Sequence, residues 1–200
     1  MSYASVYSKN NNRWNFNLEN EYWVGGLYKA PNLSSGFHGI LKQWWEYYCS
    51  NTDKIVLLVA ENIDVKKQLQ ELYPNWIIHI CDYYPELQSG NNIDIVGDIC
   101  EFGSIPENTY DLIVSQANLE HIYDPYGAMI NIFNGLKKGG FVISHTHPPG
   151  MGYHAFPHDC IRFMKDWWYL VEKHSKIPVE LMELYQTHND ANVFSCYRKK

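Results

Sequence analysis

Residues 110–144 form a complete strand–helix–strand unit, and this unit constrains the fold more than any other part of the chain. Residues 110–114 are a short apolar run with β-branched side chains, which is typical of a buried strand. Asp124 and Pro125 supply an N-cap and a first helical position that needs no N–H, and residues 137–140, two lysines and two glycines, predict the helix C-terminus. The apolar run that follows predicts a second buried strand. This βαβ crossover predicts a parallel sheet, in which ligands bind beyond the carboxyl ends of the strands.

Apolar runs and alternating segments predict the remaining strands. The continuous run at residues 55–60 is typical of a central strand buried on both faces, and residues 76–81 and 93–96 predict two more parallel strands. Residues 178–185 and 192–198 alternate like an antiparallel pair joined by a short polar turn. With the crossover, these segments predict an α/β, Rossmann-like fold with a seven-stranded, mainly parallel sheet, flanking helices and an antiparallel C-terminal strand.

Three further helices are predicted beside these strands. One begins at Ser35, because large apolar residues recur from Phe37 at the i, i+3, i+4, i+7, i+8 and i+11 positions of a helical face. A second helix is capped by Asp64 and ended by Pro74, and a third spans the apolar residues of 164–171. Together with the crossover helix, they supply the layers that would cover the two faces of the sheet.

The first 33 residues differ in composition from the rest of the chain. They are polar but contain many aromatic side chains without a clear period: Tyr3, Tyr7, Trp14, Phe16, Tyr22, Trp23 and Tyr28. We expect residues 1–33 to form an arm packed over the domain, a lid, or an arm exchanged in a homodimer. Residues 34–200 are expected to form the single folded domain.

Composition excludes several functional classes. No apolar run approaches the roughly 20 residues that a membrane span requires, and the N-terminus has no apolar signal core, so we expect a cytoplasmic protein without membrane contact. The five cysteines are scattered and lack C-x-x-C spacing, which indicates reduced thiols. The net charge of −6 and the absence of a basic stripe weigh against nucleic acid as the substrate. A small-molecule substrate is the remaining expectation.

Histidines are concentrated after the last strand of the crossover unit. His145 and His147 are two residues apart on a strand end and therefore share a face, and His154 and His158 follow in a Pro/Gly-rich loop. Imidazoles are common metal ligands, but the spacing matches no familiar closed site and neither cysteine nor glutamate lies among these residues. We therefore predict no metal site here. A neutral imidazole can instead serve as a general base near pH 7.

Two motifs resemble those of class I S-adenosylmethionine-dependent methyltransferases. The order YDLIVSQANLEHIYDP … LKKGGFVI at residues 110–143 resembles the central motif of that family, and Pro157-His158-Asp159 with Arg162-Phe163 resembles the P-H-D-x-x-R-F element of one branch. The resemblance covers residues 36–198. It implies methyl transfer from S-adenosylmethionine to a small molecule, with a sugar or sugar conjugate suggested by analogy at the level of the fold.

The cofactor turn after the first strand departs from the family pattern. Family members usually carry an acidic residue in that strand and then a glycine-rich turn, whereas this chain has Leu58 at the acidic position and Ala60, Glu61 and Asn62 in the turn. Alanine still permits fairly close backbone approach, and asparagine tolerates a left-handed turn. Two interpretations stay open: an atypical working enzyme, and a non-catalytic binding or assembly module that has lost the cofactor.

Carboxylates at two strand ends are the other cofactor candidates that the resemblance implies. Asp82 would accept hydrogen bonds from the ribose hydroxyls, or it only forms a turn. Asp98, followed by Ile99, would lie near the adenine amine, or it only ends a strand. Three residues after the fourth strand would line the floor beneath the methyl group: Ser115, Gln116 and Ala117.

The loop at residues 145–162 is the expected acceptor pocket, because it leaves the carboxyl end of the fifth strand. His147 or His158 is predicted to lie nearest the methyl group as the general base. His121, at the start of the crossover helix, is a third catalytic candidate, with a structural role as the alternative. The substrate-binding candidates are His145, His154, Asp159 and Arg162. Arg162 would either pair with Asp159 and fix the loop or bind an anionic group of the substrate.

Overall fold

A computed structural model describes residues 5–8, 39–49, 52–84, 93–155, 157–186 and 192–200. The strands in chain order are β1 (Ser5–Ser8), β2 (Ile55–Val59), β3 (Ile77–Asp82), β4 (Ile95–Val96), β5 (Tyr110–Gln116), β6 (Leu136–Thr146), β7 (Val179–Gln186) and β8 (Val193–Lys199). The helices are α1 (Gly39–Tyr48), α2 (Ile63–Leu72), α3 (Pro125–Gly135) and α4 (Lys165–His174), with a short 3₁₀ turn at Leu119–His121. The predicted helix start at residues 35–38 and the turn at residues 187–190 lie outside the described residues.

The sheet has the order β1-β7-β8-β6-β5-β2-β3-β4. Strands β4, β3, β2, β5 and β6 are parallel neighbours, and β8 is antiparallel to both β6 and β7. This confirms the predicted seven-stranded, mainly parallel sheet and the antiparallel C-terminal strand. An eighth strand was not predicted: β1, from the N-terminal segment, pairs antiparallel with β7 at the sheet edge.

Strand β2 lies at the centre of the parallel part, as its continuous apolar sequence predicts. It is paired with β3 on one side and β5 on the other. Successive side chains point to opposite faces of a sheet, so Val56 and Leu58 join the hydrophobic cluster that contains α1 and α2, whereas Leu57 and Val59 join the cluster that contains α3 and α4. Two helical layers therefore cover the sheet, and its strand ends are left to form a site.

Two predicted helix boundaries are wrong. The crossover helix α3 ends at Gly135 rather than after the lysines, because Leu136 already pairs with Tyr110 in the sheet. Lys137 consequently lies in β6, where its ammonium group is 2.8 Å from the Asp111 carboxylate. Strand pairing and this ion pair outweigh the helix-end signal of the lysines and glycines.

The cap of α2 is the second correction. Asn62, not Asp64, is the N-cap, since the Asn62 side-chain oxygen accepts a hydrogen bond from the Asp64 N–H at 2.8 Å. The predicted cap of α3 is confirmed, because the Asp124 carboxylate accepts a hydrogen bond from the Gly127 N–H at 3.0 Å. Within the described residues, no helix is long and apolar enough to cross a membrane.

Candidate active site

A cavity of about 340 Å³ opens at the carboxyl ends of β2, β3, β4 and β5. This is the edge at which parallel α/β sheets bind ligands, and the volume lies within the usual range for small-molecule sites. Seven of the predicted site residues lie in its wall: Ala60, Asp82, Asp98, Ile99, Ala117, His121 and His158. The sheet topology thus brings cofactor candidates from four strands together with two candidate bases.

The backbone at Ala60 keeps the left-handed conformation that glycine usually provides. Ala60 directly follows β2 with a φ of +52°, and its N–H donates to the Cys81 carbonyl at 2.8 Å. Ala117 follows β5 in the same conformation, with a φ of +47° and its N–H on the His145 carbonyl. Such a conformation costs an L-residue roughly 1–2 kcal/mol. The backbone after β2 and after β5 therefore turns as it would at a glycine, and each alanine adds only its methyl group.

This strain leads to a prediction for Ala60→Gly. Glycine removes the left-handed penalty but loses more entropy on folding, so we expect a net gain of roughly 0.5–1 kcal/mol in the free energy of unfolding. Denaturant titration measures the change. Ala128→Gly, at a buried position of α3, is the control and should be destabilised by roughly 1 kcal/mol or more. A destabilised Ala60→Gly variant would show that the turn is not strained.

Asp82 and Asp98 lie at neighbouring strand ends in the same wall. Asp82 is buried, and its Oδ1 accepts a hydrogen bond from the Tyr84 N–H at 3.0 Å, so it forms a turn and lines the cavity at once. The Oδ1 of Asp98 accepts from the Cys100 N–H at 2.8 Å, and its Oδ2 accepts from the Tyr123 hydroxyl at 3.3 Å. The Asp98 charge raises the pKa of Tyr123 to about 12, which keeps the phenol protonated as a donor.

The cavity fits S-adenosylmethionine in its donor and acceptor chemistry. Carboxylates accept hydrogen bonds from ribose hydroxyls and from an adenine amine, and Asp82 and Asp98 offer such carboxylates at the ends of two adjacent strands. Val59, Ile99 and Ile122 add apolar surface to the same wall, which suits a purine ring. The alanine at position 60 leaves the backbone turn accessible.

Four of the predicted cofactor residues do not line this cavity. Asn62 caps α2, Ser115 is buried within the sheet, and Gln116 is half-buried at the end of β5. Glu61 is buried directly after the Ala60 turn. Their predicted cofactor roles therefore stay predictions.

The burial of Glu61 predicts a pH dependence of stability. Burial raises the pKa of its carboxyl from 4.5 to about 8, opposed by a hydrogen bond from the Asn62 backbone. Between these two pH values the unfolded chain binds fewer protons than the folded chain, so the free energy of unfolding falls as the pH rises. A pKa difference of one unit between the folded and the unfolded chain corresponds to about 1.4 kcal/mol in the free energy of unfolding.

We therefore expect Glu61→Gln to be more stable than the parent protein near pH 8, with the difference disappearing near pH 4. Denaturant titration at the two pH values measures this difference. Glu71→Gln, at an exposed position of the following helix α2, is the control and should show no such trend. A Glu61→Gln variant whose advantage is equal at both pH values would contradict a buried, protonated carboxyl.

The four histidines of the loop and strand end differ in their position relative to the cavity, and the half-buried His154 lies outside its wall. His158 lines the cavity, and its backbone carbonyl accepts a hydrogen bond from Nδ1 of His121, which lines the cavity too. His145 and His147 share a face as predicted, with ring centroids 5.0 Å apart, but both are buried and neither is part of the cavity wall. The Nε2 of His145 is 2.8 Å from Oδ1 of Asn192.

Arg162 pairs with Asp159 rather than presenting its charge to the cavity. The guanidinium group contacts both carboxylate oxygens of Asp159 and donates further to the carbonyls of Met151, Gly152 and Ile161, so all five N–H groups are engaged. This pairing holds the pKa of Asp159 well below its usual range. Asp159 Oδ2 also accepts from the His154 backbone N–H at 2.7 Å. The ion pair therefore fixes the loop.

Glu120 is the main residue that the sequence prediction missed. Its side chain is fully buried, and its Oε2 accepts a hydrogen bond from the Thr146 hydroxyl at 2.5 Å. Its Oε1 faces Nε2 of His147 at 3.3 Å, of His154 at 3.6 Å and of His121 at 3.7 Å. The sequence signal that could have identified Glu120 was the Glu-His pair of the central motif. It was missed because Glu120 lies in the turn after β5, far in sequence from the histidine loop.

Known proteins share this sequence pattern and fold. Residues 58–144 match a family model described as a methyltransferase domain. A methyltransferase from Archaeoglobus fulgidus that depends on S-adenosylmethionine is 11% identical, with a TM-score of 0.57 over 81% of this chain and 92% of its own. The [4+2]-cyclase SpnF is also 11% identical, with a TM-score of 0.56 over 83% of each chain. No curated protein sequence matches the chain.

A third similar structure contains the cofactor. It is phosphoethanolamine N-methyltransferase 2 of Haemonchus contortus in complex with S-adenosyl-L-methionine, 16% identical, with a TM-score of 0.53 over 72% of this chain and 38% of its own. The matched segment 58–144 runs from β2 into β6, which are the strands whose ends form the cavity wall. Residues 58–144 therefore match a methyltransferase domain, and the fold of the chain is that of S-adenosylmethionine-dependent methyltransferases.

Proposed function

We propose that this chain binds S-adenosylmethionine in the cavity and transfers its methyl group to a small molecule, with a sugar or sugar conjugate as the acceptor class. The observation that carries the proposal is the wall shared by the left-handed Ala60 turn, Asp82 and Asp98 at three neighbouring strand ends. Asp82 and Asp98 also make local hydrogen bonds, but their position in one wall with the Ala60 turn is the arrangement that cofactor binding needs.

Each cofactor part has a matching group in this wall. Asp82 would accept hydrogen bonds from the ribose hydroxyls, Asp98 would accept one from the adenine amine, and the backbone at Ala60 would face the amino-acid end. The cofactor supplies an activated methyl group when it is bound. The protein therefore has to hold the two reactants in line and keep water away from them.

The acceptor end of the cavity has two imidazoles. His158 is exposed and lines the cavity, so its ring can take the proton that a hydroxyl acceptor loses during transfer. His121 is held by the hydrogen bond between its Nδ1 and the His158 carbonyl, which directs its Nε2 away from that carbonyl. His158 is therefore the preferred base, because Nε2 of His121 faces the buried carboxylate of Glu120 at 3.7 Å.

Overall charge and cysteine chemistry support the rest of the proposal. With a net charge of −6, the protein favours small acceptors over nucleic acid. All five cysteines are free thiols, which is consistent with a cytoplasmic enzyme. The aromatic N-terminal segment is the candidate surface for a homodimer.

A non-catalytic module is the second candidate. It is favoured by the missing glycine-rich motif at positions 60–62. The structurally similar SpnF is a [4+2]-cyclase, so proteins of this fold are not restricted to methyl transfer. A module of this kind would bind neither cofactor nor acceptor in the cavity.

Methyl transfer is tested with S-adenosylmethionine carrying a radiolabelled methyl group. The full chain is incubated with separate pools of free sugars, nucleotide-linked sugars and other hydroxylated metabolites. We expect label in a small-molecule product, and much less label with the Asp98→Ala variant. Absence of labelled product together with absence of cofactor binding would favour the module.

A further inference from the structure

Three imidazoles converge on one buried carboxylate oxygen beside the cavity. The Nε2 atoms of His147, His154 and His121 lie 3.3, 3.6 and 3.7 Å from Oε1 of Glu120. Glu120 is fully buried, and within the described residues this oxygen accepts no hydrogen bond. A buried carboxylate oxygen without a partner is unfavourable, so the position calls for a cation.

Hydrogen bonds alone do not explain the cluster. An N–H···O bond spans about 2.7–3.2 Å, and all three separations are longer. The Nδ1 of His121 contacts the carbonyl of His158, which can only accept, so Nδ1 carries the proton. In the neutral ring, Nε2 then points a lone pair at the carboxylate. Two acceptors then face each other, and a cation between them would stabilise both.

Tetrahedral metal geometry accounts for the distances. Zinc binds imidazole nitrogen at about 2.0–2.1 Å and carboxylate oxygen at about 2.0–2.2 Å. The edge of such a tetrahedron, from ligand atom to ligand atom, is about 3.4 Å. The three N···O separations of 3.3–3.7 Å are close to this edge. Ligand atoms of Glu120, His121 and His154 also lie within 4.8 Å of one another.

The surrounding contacts orient the ligands as metal sites usually do. Histidine ligands commonly donate their other ring N–H to a carbonyl, and bound carboxylates are themselves hydrogen-bonded. Here Nδ1 of His121 contacts the His158 carbonyl, and Oε2 of Glu120 accepts from the Thr146 hydroxyl at 2.5 Å, which leaves Oε1 for the ion.

We propose that Glu120, His121 and His154 bind one Zn²⁺ ion. Three protein ligands leave the fourth position of the tetrahedron to a water molecule or a substrate. The ligands come from the turn after β5 and from the loop after β6. The ion would therefore attach the loop that faces the acceptor to the sheet. The sequence predicts no such site, because Glu120 lies outside the histidine loop. Zinc binding does not depend on the proposed methyl transfer.

The test uses the full chain, stripped with a chelator and reloaded with Zn²⁺. Elemental analysis after gel filtration should find one zinc per chain, and competition with a chromophoric chelator gives the affinity. Loss of an outer contact typically weakens metal binding about 10–100-fold, so loss of a direct ligand in Glu120→Gln or His154→Ala should weaken it more than about 100-fold. His158→Ala is the matched control, because only its backbone carbonyl supports the site, and it should retain zinc.

His154 is the decisive position, because its side chain is one-third exposed and its removal leaves the core intact. Circular dichroism establishes that His154→Ala is folded. A folded His154→Ala variant without zinc supports the proposal. Wild-type protein that retains no zinc overturns it, and so does a His154→Ala variant with the wild-type affinity. Titration of the metal-free chain with S-adenosylhomocysteine reports separately on the proposed function.

Discussion

Replacement of His158 by alanine is expected to lower turnover about 10²–10⁴-fold, the usual contribution of a general base, while cofactor affinity stays unchanged. His158 is the candidate base whose exposed ring lines the cavity. Its structural contact to Nδ1 of His121 is made by the backbone carbonyl. Alanine keeps that carbonyl, so the substitution removes the imidazole and little else.

The measurement combines the rate of methyl transfer to the acceptor found in the radiolabel assay with the thermal midpoint of the same variant. His174→Ala is the matched control, because that imidazole is exposed at the end of α4 and does not line the cavity. If His158 only braces the loop, His158→Ala will unfold at a lower temperature with an unchanged rate per folded molecule. That outcome would remove His158 from the chemistry.

Replacement of Asp98 by alanine is expected to weaken S-adenosylhomocysteine binding about 10- to 100-fold. A charge-assisted hydrogen bond from the adenine amine to this carboxylate contributes about 1.5–3 kcal/mol, which corresponds to that range. Asp98 is suited to the role because it lines the cavity at the strand end next to Asp82. Calorimetric titration of both proteins gives the ratio of dissociation constants.

Asp98 also caps the Cys100 N–H, so a control must separate folding from binding. Asp98→Asn keeps a side-chain oxygen for the cap but loses the charge, and we expect it to bind more weakly than the parent protein while unfolding near the same temperature. Asp53→Ala removes an exposed carboxylate that does not line the cavity and should change neither quantity. An unchanged dissociation constant for Asp98→Ala would exclude this residue from the site.

The elements that were predicted correctly have signals contained within a short stretch of sequence. Strand β2 is a continuous apolar run, and apolar and polar residues alternate with period two in β7 and β8. Both could therefore be predicted from a short stretch of sequence. The C-terminus of α3 could not, because the pairing of Leu136 with Tyr110 and of Lys137 with Asp111 depends on a strand that lies more than twenty residues earlier. The pairing of β1 with β7 likewise joins opposite ends of the chain.

The site was partly predictable for the same reason. Asp82, Asp98 and His158 follow strand ends, and the topology of a parallel sheet brings such positions to one edge. Glu120 was missed because its partners come from three separate segments. Ala60 was ambiguous, since sequence shows the loss of glycine but not the φ of +52° that the strand pairing maintains. Conformation, rather than residue type, preserves this part of the motif.

The central claim is that the cavity formed by Ala60, Asp82 and Asp98 binds the cofactor. Calorimetric titration of the full chain with S-adenosylhomocysteine tests it most directly, because the product analogue needs no acceptor. We predict one site per chain with a micromolar dissociation constant, weakened in Asp98→Ala and unaffected by Asp53→Ala. The absence of both binding heat and a thermal shift would contradict the claim and identify the domain as one that keeps the methyltransferase fold without its cofactor.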